Sequence, residues 1–461
     1  MHKFRVALLV ILLAVVQDAT AQFTTIGKTA DKYLTTLAKQ GRFSGSILIA
    51  RGDKVLLRKG YGQADYEQGI SNGPQTIFRI GSITKMFTAF SILQLEERGL
   101  LSVNDPASKY VSEIPEAWKT ITIHQLLNHT SGIPDFIDAP AYAKYSDQLR
   151  VEASLKQFSD KTLLNTPGEK LRYSNSGYIL LGRLVEKVSG KKYEQYIAEN
   201  ILRPAGMTNT AYDHRKPLLK GRAHGYLFDG EYLINAPTED MEGPHSAGAL
   251  HSTVDDLYLF DRALKSGKLF SNSVTQKAWT PYVHWNAPPP FNIDADYGNG
   301  WMIGKKFNHN YVGHGGWVGG FVSDFVRFPD DNVVIILLSN IEAVSYMNVS
   351  RDLAAIVFGE KYEFPPTYKI VHPSAEVLQR YAGKYAAGPL EVKVALEEDG
   401  RLSAFGTGQR FPFVMIASSD TEFFFNEIES RMKFVLDDSG KSASCVVRLQ
   451  GQEYVLNRAT D

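Results

Sequence analysis

A serine and a lysine three residues apart, Ser82 and Lys85, stand in the run Phe78-Arg79-Ile80-Gly81-Ser82-Ile83-Thr84-Lys85-Met86-Phe87, which continues through an apolar stretch to Leu95. Residues at i and i+3 share one face of a helix, so the amine can reach the hydroxyl oxygen and, when desolvated enough to be partly neutral, take its proton. A serine prepared this way attacks a carbonyl carbon. The same spacing recurs at Ser189/Lys192 and Ser430/Lys433, and context separates the three. Ser189 runs into Gly190 and Lys191, as at a capped helix end, and Ser430 sits in an alternating, strand-like run; both read as surface positions. Ser82 alone is preceded by a glycine and followed by residues apolar on nearly every side, the pattern of a buried central helix. A lysine is costly there without a partner or a task.

Two further groupings carry chemistry. Tyr173-Ser174-Asn175 follows Pro167-Gly168-Glu169 and precedes a helical run from Tyr178. A phenol at that place could hold or shuttle the proton leaving a serine, and an amide two residues on could bind a substrate carbonyl. The bland alternative is a turn followed by a helix N-cap. The second grouping is Val312-Gly313-His314-Gly315-Gly316-Trp317-Val318-Gly319-Gly320, with five glycines in the eight residues from Gly313 to Gly320. Glycines weaken a strand unless something must approach its backbone closely, and a substrate lying along a sheet edge is such a reason. His314 in that strand is expected to donate to a developing charge or a substrate carboxylate.

These groups need a scaffold. Residues 45–62 read as two strands with a turn at Arg51 to Lys54. Helical periodicity then dominates to about residue 275: Phe87 to Arg98 closed by Gly99, Ile123 to Asn128, Tyr178 to Val188 closed by Gly190, and Val254 to Leu264 closed by Gly267. Strand patterns return at Gly300 to Ile303, Tyr311 to Gly313, Gly320 to Phe328 and Val333 to Ser339. The pattern predicts an α+β fold in which the first hairpin and the late strands share one antiparallel sheet flanked by helices, with a helical domain inserted between them. A βα alternation that would give a parallel sheet is absent. After the prolines near residues 365 to 373, alternating runs with turns at Asp399-Gly400 and Ser439-Gly440 predict a small all-β unit, a barrel or a sandwich.

The 461 residues suffice for two domains, and 50 basic against 50 acidic residues leave no basic block for nucleic acid or a membrane surface. A small-molecule or short-peptide substrate fits better; no cofactor or metal is called for, and the oligomeric state stays open. Lys3 and Arg5, the apolar run Val6 to Val16 and Ala19-Thr20-Ala21 read as a cleavable secretory signal. Its apolar part is too short to span a bilayer. The expected division is 1–21 signal peptide, 22–368 catalytic domain and 369–461 C-terminal β domain, in a chain exported to a bacterial periplasm or beyond. Cys445, the sole cysteine, allows no internal disulfide and reads as a small buried apolar residue.

In order along the chain, Ser82-Ile83-Thr84-Lys85, Tyr173-Ser174-Asn175 and His314-Gly315-Gly316 resemble the three motifs of the class C β-lactamase and penicillin-binding-protein family of serine hydrolases. The text between them is similar as well: Ile121 to Gly132 with Leu126-Leu127-Asn128-His129-Thr130-Ser131-Gly132, Pro204-Ala205-Gly206-Met207, Ala247 to Leu257, and Tyr297-Gly298-Asn299-Gly300-Trp301. The resemblance spans about residues 30 to 360 and implies a helical domain packed on an antiparallel sheet. The C-terminal unit resembles the lipocalin-like tail of some D-aminopeptidase relatives. Carried over by position, the resemblance makes Ser82 the nucleophile, Lys85 its base or relay, and Tyr173 the group that returns a proton to the leaving group. Asn175 would bind the acyl-side carbonyl, and the N–H groups of Ser82 and Trp317 would form the oxyanion hole, with His314 and Gly316 lining the same strand. One departure is chemical: family β-lactamases usually carry Lys-Thr-Gly or Lys-Ser-Gly where this chain has His-Gly-Gly. Without that lysine and hydroxyl the sequence points toward the esterase and peptidase branches. The competing reading is a module that binds peptidoglycan-like ligands or β-lactams without turnover. An α/β-hydrolase would need Gly-x-Ser-x-Gly, which Pro244-His245-Ser246-Ala247-Gly248 lacks. His124 and His129, five apart with no glutamate between them, read as part of a structural helix end rather than a zinc pair.

Overall fold

The computed structural model describes residues 23–136 and 162–459, apart from 215–216, 229–231, 238, 288–292, 343–344, 365–366, 368, 389, 399, 407–411, 426–429 and 450–451. The expected signal at 1–21 lies outside the described residues.

The centre is an eight-stranded antiparallel sheet: β1 (Gly45–Arg51), β2 (Lys54–Tyr61), β3 (Val283–Ala287), β4 (Ile293–Tyr297), β5 (Met302–Lys306), β6 (His309–Val318), β7 (Phe321–Phe328) and β8 (Val333–Ser339). Its order is β3-β4-β5-β6-β7-β8-β1-β2, so the first hairpin joins the late strands through β1 beside β8, as the sequence predicts. Side chains alternate across a strand, and the two apolar layers follow that period. Ile47, Ile49, Ile335 and Leu337 face a layer with α1 (23–39) and α5 (Tyr346–Phe358). Leu48, Ala50, Val334, Ile336 and Leu338 face the other layer, which holds α2 (Thr84–Glu97), α3 (Asn175–Ser189) and α4 (Val254–Ser266).

Every residue of α2 from Thr84 to Leu95 is buried, the all-round burial the sequence calls for. Glycines with positive φ close α2, α3 and α4 at the expected places, Gly99, Gly190 and Gly267. Helix α3 begins three residues before the expected Tyr178, because the Ser174 hydroxyl accepts the Gly177 N–H at 3.2 Å and caps it there. The edge hairpin β3–β4 is an element the sequence reading did not include, although its strands alternate, Val-His-Trp-Asn-Ala and Ile-Asp-Ala-Asp-Tyr, on either side of three prolines.

Beyond α5, Tyr362 and Phe364 pack on the Tyr33 ring of α1 at 5.9 and 5.7 Å between centroids. Eight antiparallel strands between Gly383 and Arg458 then close into a barrel, the last pairing with the first, which decides between barrel and sandwich. Tyr381, Tyr385, Phe423, Met432, Phe434 and Leu456 fill its interior with Cys445, a buried free thiol whose pKa burial pushes up to about 12.

Candidate active site

The nucleophile turn is built by backbone contact. Strand Phe78–Arg79 pairs with Leu250–Ser252 and leads through Gly81, at φ +49°, into a single 3-10 turn, Gly81–Ile83, that feeds α2. A Cβ on Gly81 would stand 2.7 Å from the Trp317 N, and a Cβ on Gly316 would stand 2.1 Å from the Ile80 carbonyl oxygen. Both distances are shorter than any real carbon contact, so glycine is required on both sides for β6 to lie against the turn. The Ser323 hydroxyl, opposite Gly316 in register, donates to Ile80 O at 2.9 Å and ties β7 to the same turn. Strand β5 pairs with β6 only as far as Gly313, whereas β7 continues to Val318. Residues 314–318 therefore run past the end of β5, against the turn that carries Ser82.

Lys85 is fully buried in the first turn of α2. Its Nζ lies 2.9 Å from Ser82 Oγ, 2.7 Å from Asn175 Oδ1 and 2.8 Å from the Ala247 carbonyl oxygen. Asn175, the first residue of α3, donates from Nδ2 to Asp135 Oδ2 at 2.9 Å, which fixes its amide so that Oδ1 faces the lysine. Asp135 is itself buried. Lys85 Nζ also stands 4.8 Å from the centre of the Tyr173 ring. Ser82, Lys85, Tyr173 and Asn175 thus converge from α2 and the N-terminus of α3. Tyr173 in turn packs against Trp285 of β3, the rings stacked at 5.5 Å.

His314 takes a different place from the one expected for a substrate-facing donor. Its side chain is buried; Nδ1–H donates to the Gly315 carbonyl at 2.6 Å, and Nε2 accepts from the Tyr297 hydroxyl at 2.9 Å. Burial first, then the Lys85 charge, pushes its pKa down to about 3. The imidazole is neutral, with both ring nitrogens engaged inside the protein, and supplies no cation to the cleft. Trp317, the next motif position with a side chain, is 47% exposed.

Sequence reasoning did not single out Asp135 or Trp285, and it quoted Ala247 and Tyr297 only within family-like stretches, with no role given to either. Ala247 acts through its carbonyl, which no side-chain pattern reveals, and Asp135 lies 40 residues from the asparagine it orients. His129 follows the Asn128 cap of the short helix Ile123–Leu127, at the helix end where it was expected, and also turns its ring into the site, 4.2 Å from Tyr173.

Three histidines whose desolvation disfavours the charged ring give the fold a pH signature. Burial pushes His314 and His245 down to about 3 and His129 well below its ordinary 6.5. Each stays neutral in the folded chain where an unfolded histidine gains a proton, so its contribution is complete above pH 6.5 and is lost as the pH falls. Between about pH 6.5 and 5, His314 and His245 each remove up to about 2 kcal/mol, and His129 acts in the same direction. Asp324, which burial pushes up to about 6, keeps a proton that the unfolded chain has lost and offsets one of the three in that window. Urea unfolding at pH 7 and pH 5 should therefore show a lower midpoint at pH 5; equal midpoints would contradict the neutral, inaccessible imidazoles.

The chain is similar to known proteins in sequence and in fold. The Beta-lactamase family model matches residues 28–357. Penicillin-binding protein 4* of Bacillus subtilis is 29% identical over 434 residues, 88% of this chain and 93% of that protein. The crystal structure of a penicillin-binding protein from Bacillus halodurans superposes with a TM-score of 0.63 at 29% identity, covering 71% of this chain and 98% of that one. The octameric penicillin-binding protein homologue from Pyrococcus abyssi gives 0.66 at 26% identity, covering 93% and 99%. With its three motifs meeting at one serine on this fold, the chain belongs to the Beta-lactamase family and is a serine hydrolase.

Proposed function

We propose that this protein is an exported hydrolase that opens esters or amides, D-aminoacyl compounds among them, through an acyl-enzyme on Ser82. The observation that carries this is the coordination of Lys85. Two of the groups that Lys85 Nζ hydrogen-bonds, Asn175 Oδ1 and the Ala247 carbonyl, can only accept. When Lys85 is deprotonated, these two acceptors take both N–H groups of the neutral amine and its lone pair is left for the Ser82 hydroxyl, 2.9 Å away.

In this mechanism Ser82 Oγ attacks the carbonyl carbon as its proton moves to Lys85. The C=O electrons become an oxyanion held by the N–H groups of Ser82 and Trp317. Collapse breaks the bond to the leaving group, which takes a proton from Tyr173, replenished by Lys85. Water then attacks the acyl carbon, giving its proton to the Tyr173–Lys85 pair; the bond to Ser82 Oγ breaks, the acid product leaves, and the pair returns that proton to Oγ. Asn175 retains one Nδ2–H beyond its bond to Asp135 for the acyl-side carbonyl.

The internal, neutral His314 supports esters and amides over β-lactams. The strand that would meet a β-lactam carboxylate offers it neither a lysine nor a hydroxyl side chain at the third motif. We expect hydrolysis of 4-nitrophenyl esters or D-aminoacyl 4-nitroanilides with kcat/KM at least about 100-fold above that for benzylpenicillin. Both activities should be absent in Ser82→Ala. Benzylpenicillin as the best of the three substrates would reject this preference.

A further inference from the structure

His129 holds the chain around Tyr173 by three separate contacts. Its carbonyl accepts the Arg172 N–H at 2.8 Å, its Nδ1 accepts the Ser174 N–H at 3.1 Å, and its ring lies 4.2 Å from the Tyr173 ring. One residue thus fixes the segment on both sides of the phenol. The cost to the fold is visible. His129 adopts φ +60°, a left-handed conformation that few side chains favour, and it is 1% exposed. Because Nδ1 accepts, the neutral ring carries its proton on Nε2, and among the described residues that buried nitrogen has no hydrogen-bond partner. It lies among the rings of Tyr173, Tyr178 and Tyr297 instead. A buried donor left unpaired and a strained backbone at one position, both beside the reacting groups, are what a site retains for geometry rather than for stability.

We propose that His129 is a positioning residue for the hydrolytic reaction: it acts through Tyr173, holding the phenol in register with Lys85 and Ser82 by means of the Nδ1 acceptor. The proposal rests on the acyl-enzyme reading above. Other acceptors at this place are few. Asparagine is the substitution that tests the idea, since its Oδ1 stands where the histidine Nδ1 does and it tolerates positive φ. Leucine keeps bulk and removes the acceptor; glycine removes the acceptor with no backbone penalty.

The experiment measures kcat and KM on a 4-nitrophenyl ester, the second-order rate of fluorophosphonate labelling, and the thermal midpoint, for the full-length chain and the three variants. His129→Leu and His129→Gly should lose about 100-fold in kcat with KM within about threefold, the effect of displacing a reacting group by about 1 Å. His129→Asn should stay within about tenfold of the parent. Rescue by asparagine but not by glycine is a result that a purely structural histidine would not give. Should the leucine protein not melt cooperatively, the asparagine and glycine pair decides. The proposal is overturned if leucine or glycine leaves kcat within threefold, or if asparagine falls as low as glycine at a matched thermal midpoint. A parent protein that takes no label strikes the acyl-enzyme reading instead, which keeps the two failures distinct.

Discussion

Lys85→Met is expected to lower kcat roughly 1,000-fold, within the usual range for removing a general base and relay, with little change in the folded structure. Methionine has nearly the same length and suits a fully buried site in the first turn of α2. The exchange removes the amine that lies 2.9 Å from Ser82 Oγ and can take its proton. It also leaves Asn175 Oδ1 and the Ala247 carbonyl without that donor, at about 1–3 kcal/mol each, offset by no longer burying an amine. Lys85→Arg separates two explanations. Arginine keeps the charge but does not become neutral in a protein, so a site that needs a base loses activity with it as well. An arginine variant with a tenth of parental turnover would mean that positive charge alone is required.

Gly316→Ala should cost about 100- to 1,000-fold in kcat, although it adds one methyl group far from any charge. The new Cβ would lie 2.1 Å from Ile80 O and 2.5 Å from Ser323 Oγ. The first of these is backbone of the nucleophile turn and cannot rotate away, so strand and turn must part by about 1 Å. That is enough to take the Trp317 N–H off the developing oxyanion while β7, still paired to β6, keeps the sheet together. Overpacking of this kind costs about 1–3 kcal/mol of stability, which a large core tolerates. The distinguishing result is a large fall in kcat in a protein that still melts cooperatively. Native turnover with alanine at this position would contradict the close approach of β6 to Ser82.

The residues that were legible in the sequence are those whose function depends on local spacing. Ser82 and Lys85 are neighbours because a helix begins at Thr84, and the run Met86 to Leu95 announces a helix buried on all sides. Tyr173 and Asn175 are legible together because a helix N-terminus sets both. The partners that orient them come from elsewhere in the chain: Asp135 reaches Asn175 across 40 residues, and the Ala247 carbonyl reaches Lys85 across 162. Spacing in one sequence carries no information about such meetings. His314 shows the same limit in another way. Its five neighbouring glycines suggest an open strand, and the strand is open on one side. What encloses the imidazole is Tyr297, at the end of the hairpin β3–β4, whose alternation the sequence reading passed over and whose distance from the histidine no local pattern states. For the fold, continuous apolar runs such as Val333 to Ser339 mapped directly onto the sheet, because strands buried on both faces need no alternation.

The most direct test of the account is the mass of the purified protein after reaction with a fluorophosphonate, followed by peptide mapping. The account predicts one adduct per chain, located on Ser82, formed rapidly by the parent and absent from Ser82→Ala. Label on any other residue, or no label on a folded chain, would contradict an activated Ser82 and leave a binding module as the reading of this site.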